Sequence, residues 1–208
     1  MPDGNTELLA VLQDVAKGAT PKHFLLCGVS GSGKTHLLEA AVKLAASRGR
    51  RPFYVPLGEA DRLGPGLLEN LEQDCDLVCL DDVQKVAGRL EWERALFALQ
   101  ARAGGCSWIA SATAAPALSG FLMPELASRL AAGPVYALRE LDDEAKRELL
   151  ARRAHDFGLH LEPAVARYLL TRHARDLGGL MRLLDRIDVE SLRCQRRPTI
   201  AFIRALES

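Results

Sequence analysis

Aromatic side chains are scarce in this chain, at 5% of its composition, and there is no excess of charge, since 27 basic residues balance 27 acidic ones. A protein that holds nucleic acid without base readout does so with surplus Lys and Arg, and a single-strand binder adds aromatic stacking platforms. Both classes are disfavoured, and no direct DNA contact is expected. Long apolar runs are also lacking, with nothing near the ~20 residues that cross a bilayer. The opening Met1-Pro2-Asp3-Gly4-Asn5-Thr6-Glu7 has neither the basic nor the apolar region of a signal peptide. A soluble, cytoplasmic protein without membrane contact is the expectation. Five cysteines show no paired spacing, which excludes a disulfide framework and predicts reduced thiols. Cys27 and Cys79 fall inside apolar runs, where they read as small hydrophobes. The histidines (His23, His36, His155, His160 and His173) have no metal spacing and no neighbouring nucleophile motif.

What the chain does have is a complete G-x-x-x-x-G-K-T string, Gly28-Val29-Ser30-Gly31-Ser32-Gly33-Lys34-Thr35. The apolar run His23 to Cys27 precedes it as a buried strand, and a helical pattern through Leu37, Leu38, Ala41, Val42, Leu44 and Ala45 follows. Glycines at such a turn let successive backbone N–H groups approach a polyphosphate, and the helix N-terminus adds a favourable dipole. Candidate phosphate-binding residues are Gly28, Ser30, Gly31, Ser32, Gly33, Lys34, Thr35 and His36. Lys34 would reach the β- and γ-phosphates, and the Thr35 hydroxyl would help hold Mg²⁺.

Short apolar strands then alternate with helices. Strands are expected at 52–56, 77–80, 108–110 and 135–138. A short helix is expected at 67–71 behind Gly64-Pro65-Gly66, and a longer one at 91–103 carrying Trp92, Leu96, Phe97 and Leu99. Such alternation predicts a five-stranded parallel sheet covered on both faces. From Leu141 the pattern is helical only: 143–156 behind an Asp142 N-cap with Gly158 as its stop, a helix opened by Glu162-Pro163, one over 176–194, and one over 199–206. In the third, Leu180, Leu183, Leu184, Ile187 and Leu192 are expected on one side. The organisation is therefore an α/β core over 1–139 and a small all-helical lid over 140–208.

The strand at 77–80 ends in Asp81-Asp82. A carboxylate at the tip of a strand beside a phosphate loop organises Mg²⁺, usually through water. Asp81 fits that role, and Asp82 is placed to polarise an attacking water. The basic clusters Arg48-Gly49-Arg50-Arg51 and Arg193 to Arg197 sit at a helix end and near the C-terminus, where dipole or solvation accounts for them.

Leu77-Val78-Cys79-Leu80-Asp81-Asp82-Val83-Gln84 resembles the Walker B segment of the DnaA-type initiators. Pro124-Glu125-Leu126-Ala127-Ser128-Arg129-Leu130 resembles their box VII, and Ala174-Arg175-Asp176-Leu177-Gly178-Gly179-Leu180 their sensor 2 segment. The resemblance spans essentially the whole chain and implies a DnaA-related AAA+ ATPase. Within that family the Hda-type regulatory branch is most similar, through Leu141 to Lys146, Trp92 after Glu91, and the segment Arg196-Arg197-Pro198-Thr199-Ile200. No DNA-reading domain is expected after the lid. The resemblance implies binding of ADP or ATP with Mg²⁺ (metal at Thr35 and Asp81), DnaA as partner, cooperation with the DNA-loaded sliding clamp, and self-association through the AAA+ faces. It implies Arg129 as an arginine finger acting in trans and Arg175 as sensor 2.

Two departures from the family pattern stand out. Thr113 occupies the sensor 1 position usually held by aspartate, with Ser111 as the alternative donor, so weak intrinsic hydrolysis is expected. The family's Gln- and Leu-rich clamp-binding peptide is not found ahead of Gly4-Asn5. The competing expectations are a helicase-loader-like ATPase on single-stranded DNA, a P-loop small-molecule kinase, and a nucleotide-binding module without turnover.

Overall fold

The computed structural model describes residues 3–18, 23–102, 104–159, 161–173 and 177–207. They divide into two compact units, a larger one of 3–29 with 33–139 and a smaller one of 140–207 that takes in 30–32.

The larger unit runs α1 (Asp3–Lys17), β1 (His23–Cys27), α2 (Lys34–Ser47), β2 (Pro52–Pro56), the short α3 (Ala60–Leu63) and α4 (Leu71–Asp74), β3 (Leu77–Asp81), α5 (Leu90–Arg102), β4 (Ser107–Ala112), α6 (Pro124–Ala132) and β5 (Val135–Ala137). All four strand pairings are parallel, and the order is β2-β3-β4-β1-β5. Strand β1, which leads into the glycine loop, lies between β4 and β5.

Side-chain alternation assigns the two sheet faces. Leu25, Val78, Leu80 and Ala110 pack with Trp92, Leu96 and Leu99 of α5 and Leu126 and Leu130 of α6. Their neighbours Phe24, Leu26, Leu77, Cys79 and Ile109 pack with Leu8, Leu12 and Val15 of α1 and Leu38, Ala41 and Ala45 of α2. Both faces are therefore apolar, which is why these strands read as continuous hydrophobic runs. Full burial of each large side chain contributes roughly 1.5–3 kcal/mol.

Helix α1 is not among the elements expected from sequence. Its stripe Asn5, Leu8, Leu12, Val15 and Ala16 is buried, and Asn5 exchanges hydrogen bonds with the backbone N–H and C=O of Arg139 (3.2 Å each). The helix expected at 67–71 is a correction. The chain makes a 3-10 turn at Pro65–Leu68 and restarts as α4, because Asn70 adopts a left-handed conformation (φ +62°) that no helix continues through.

The smaller unit contains α7 (Asp143–Asp156), α8 (Pro163–Arg172), α9 (Leu177–Cys194) and α10 (Ile200–Glu207) around Leu150, Val165, Leu169, Leu180, Leu184, Ile187 and Ile203. Asp142 caps α7, accepting from the Ala145 N–H at 2.8 Å, and Gly158 (φ +70°) follows it. Leu192 departs from expectation, being 69% exposed. The 3.6-residue period carries the buried stripe from Ile187 to Ser191 instead, and Ser191 is buried. None of the described helices is long and apolar enough to cross a membrane.

Candidate functional site

Between β1 and α2 the backbone takes φ +80° at Gly31 and +101° at Gly33. These are left-handed positions that cost glycine nothing and other residues about 1–2 kcal/mol each. Lys34 then opens α2, with Thr35 beside it and His36, half-buried, in the same first turn. The Lys34 side chain folds back under the loop, where its ammonium donates to the carbonyls of Gly28 (2.7 Å) and Val29 (3.0 Å). Burial lowers its pKa, opposed by the negative charges of Asp82 and Asp81. Ser32 is buried, and its hydroxyl has no hydrogen-bond partner among the described residues. An orphaned polar atom inside a glycine loop fits an anionic ligand that brings acceptors.

Asp81 ends β3 and is almost fully buried. Three hydroxyls surround it: Thr35 and Tyr54 each donate to Oδ2 at 2.7 Å, and Ser111 donates to Oδ1. A charged acceptor with several neutral donors is a strong arrangement. Burial and the bond to Asp81 raise the Tyr54 pKa, so the phenol stays a donor. Sheet register explains why Tyr54 is present. It lies opposite Cys79, two residues before Asp81, and so shares that carboxylate's face. The hard oxygens of Thr35 and Asp81, held together, form the kind of donor set that suits Mg²⁺.

Asp82 turns the chain into a left-handed conformation (φ +59°). Its N–H donates to Ser111 Oγ at 2.8 Å, and its Oδ1 accepts from the Gln84 amide at 3.0 Å. Gln84 in turn accepts from the Thr113 N–H at 3.3 Å. Ser111, fully buried near the end of β4, thus binds both aspartates, whereas Thr113 lies exposed beyond the strand.

The structure therefore brings Lys34, Thr35, Asp81 and Asp82 together, with Thr113 joined only through Gln84. Arg129 has a different setting. It is exposed on α6, with its guanidinium 4.2 Å from the centre of the Phe97 ring on α5. Arg175 lies outside the described residues. Sequence reasoning gave no role to Tyr54 or Gln84. A lone phenol in the otherwise apolar Pro-Phe-Tyr-Val-Pro was the available signal for the first.

The family model for the Hda lid domain matches residues 143–206. An uncharacterized protein of Haemophilus influenzae is 39% identical over 207 residues, which cover 98% of this chain and 89% of the relative. Domain III of the replication initiation protein DnaA from Thermotoga maritima superposes with a TM-score of 0.76 at 18% identity, over 99% of this chain and 92% of that one. The AMPPCP-bound DnaA of Aquifex aeolicus gives 0.71 at 23% identity, over 93% and 64%. The Thermotoga maritima RuvB branch migration motor gives 0.63 at 18%, over 99% and 68%.

Proposed function

The chain belongs to the Hda- and DnaA-related AAA+ proteins, and we propose that it binds ADP or ATP and promotes hydrolysis of ATP held by a DnaA-type initiator. Its effect would be negative regulation of replication initiation, exerted together with the DNA-loaded sliding clamp. The observation that best supports this is the placement of two groups at different positions of one core. A phosphate loop with its acid pair is assembled around Lys34, Thr35 and Asp81, while Arg129 is exposed on a different helix.

In the chain's own site, the Gly28–Thr35 backbone cradles the phosphates and Lys34 neutralises their charge. Thr35 and Asp81 would hold Mg²⁺, which would supply charge screening of the phosphate oxygens. Asp82, held by Gln84, would polarise the attacking water. With Ser111 turned toward the two aspartates and Thr113 exposed, hydrolysis of the chain's own nucleotide is slow. Arg129 inserts beside the partner's γ-phosphate and stabilises the charge that develops on the transferring oxygens, an effect worth about 10³–10⁵ in rate for such fingers.

The test is ATP hydrolysis by DnaA with and without this protein, on clamp-loaded DNA. Stimulation by the wild-type chain and its loss in Arg129→Ala are expected. Absence of stimulation, or full stimulation by Arg129→Ala, refutes the proposal.

A further inference from the structure

Glu93 is an acidic residue with no exposure at all, in the first turn of α5. Its carboxylate is fully engaged by main chain. Oε1 accepts from the N–H groups of Gly88 (2.8 Å) and Leu122 (3.0 Å), and Oε2 accepts from the Met123 N–H (2.7 Å). Gly88 belongs to the turn ahead of α5. Leu122 and Met123 are the two residues ahead of α6, and Met123 is its N-cap position. Met123 offers no side-chain cap, and Pro124 has no N–H to offer. The anion beside that helix start is also favoured by the helix dipole.

One turn further along α5, at i+4, Phe97 presents its ring to the Arg129 guanidinium. Residues four apart on a helix share a face. A single face of α5 thus grips α6 twice, at its N-terminus through Glu93 and at its arginine through Phe97.

We propose that Glu93 and Phe97 are positioning residues that fix where Arg129 stands for its action in trans. The proposal rests on the finger role of Arg129 for its functional part, and on α5–α6 geometry for its structural part. A guanidinium must meet developing charge within a fraction of an ångström, and its long side chain supplies no rigidity of its own. The support has to come from the helix that carries it. A carboxylate accepting three main-chain bonds fixes that helix's start in a way no apolar residue could, because an apolar replacement would leave buried N–H groups unpaired.

The variant to make is Glu93→Gln, which keeps shape and one oxygen but loses the second acceptor. Phe97→Leu is the companion that keeps apolarity and most of the volume while removing the ring face. Three measurements on the full chain decide the matter. Amide exchange in 121–130 should quicken at least tenfold in Glu93→Gln, with β1 and α2 unchanged. Binding of a fluorescent ADP analogue should stay within twofold of wild type. Stimulation of DnaA should fall at least tenfold in Glu93→Gln and severalfold in Phe97→Leu, with no further loss when either change is added to Arg129→Ala.

Unchanged exchange in 121–130 overturns the positioning role. So does a uniform rise across the larger unit, which marks Glu93 as a general fold residue. Additive loss in the double variant overturns the link to Arg129. If Arg129→Ala itself stimulates fully, the finger assignment fails, and the exchange measurement still judges the α5–α6 clamp.

Discussion

Ser111→Ala tests where the polar contact of β4 resides. The Ser111 hydroxyl accepts from the Asp82 N–H and donates to Asp81, in a position with no solvent exposure. Alanine leaves the Asp82 N–H without its acceptor and takes one of three hydroxyl donors from a buried carboxylate. An unpaired buried group costs about 1–3 kcal/mol, and a bond to a charged group contributes a similar amount. The two losses share one atom and do not add fully, so about 2–3 kcal/mol is expected. At roughly 2–4 °C per kcal/mol for a chain of this size, Tm should drop by about 4–12 °C. Thr113→Ala is the control. That residue is exposed, and its bond to Gln84 uses the main-chain N–H that alanine keeps. It should cost under about 0.5 kcal/mol. Calorimetry and urea titration on both variants are the assays, with a lowered midpoint and an unchanged m-value expected for Ser111→Ala. Equal costs at the two positions, or a greater cost at Thr113, would refute the reasoning.

Two further outcomes follow from buried or shared charges. Arg50 donates to the carbonyls of Val15, Ala16 and Asp76 with one planar guanidinium. Arg50→Lys cannot span all three, so a loss of about 1–3 kcal/mol and faster amide exchange at the end of α1 are expected by urea titration and mass spectrometry. Glu207 resists ionisation through burial, but donors at His173 and Tyr168 and the charge of Arg172 outweigh this and lower its pKa below the ordinary 4.5. A carboxylate with a depressed folded pKa adds stability above its unfolded value and loses it as pH falls through the folded one. The wild-type advantage over Glu207→Gln should therefore be full above about pH 4.5 and vanish in stronger acid, as read by denaturation at a series of pH values.

Much of the architecture was readable because both faces of the sheet are covered. Strands β1 and β2 were expected with the bounds they have, since continuous apolar runs between glycine and proline leave little choice. The glycine loop was readable for the same reason, as its backbone needs named residues at named offsets. Other features depended on spatial neighbours. Tyr54 acquires its partner through the β2–β3 register, which no local pattern encodes. Glu93 has the exposed Glu91 as its neighbouring acid, yet it sits three residues before Leu96 and shares its buried stripe. Leu192 was assigned by residue type, where the helical period pointed to Ser191. Helix α1 had its signal in the spacing of Leu8, Leu12 and Val15, an apolar stripe at helical intervals.

The strand order also sets a timetable. Strand β1 is made early, but its sheet neighbours are β4 and β5, and the pairing of His23 with Trp108 spans 85 residues. At ~5–20 residues per second, a ribosome needs roughly 4–17 s to supply that partner. During the interval β3 has only β2 to pair with, and the strand that carries the glycine loop has no edge to join. The phosphate cradle is thus among the last features of the larger unit to be assembled on the nascent chain, although its residues are among the first to leave the tunnel.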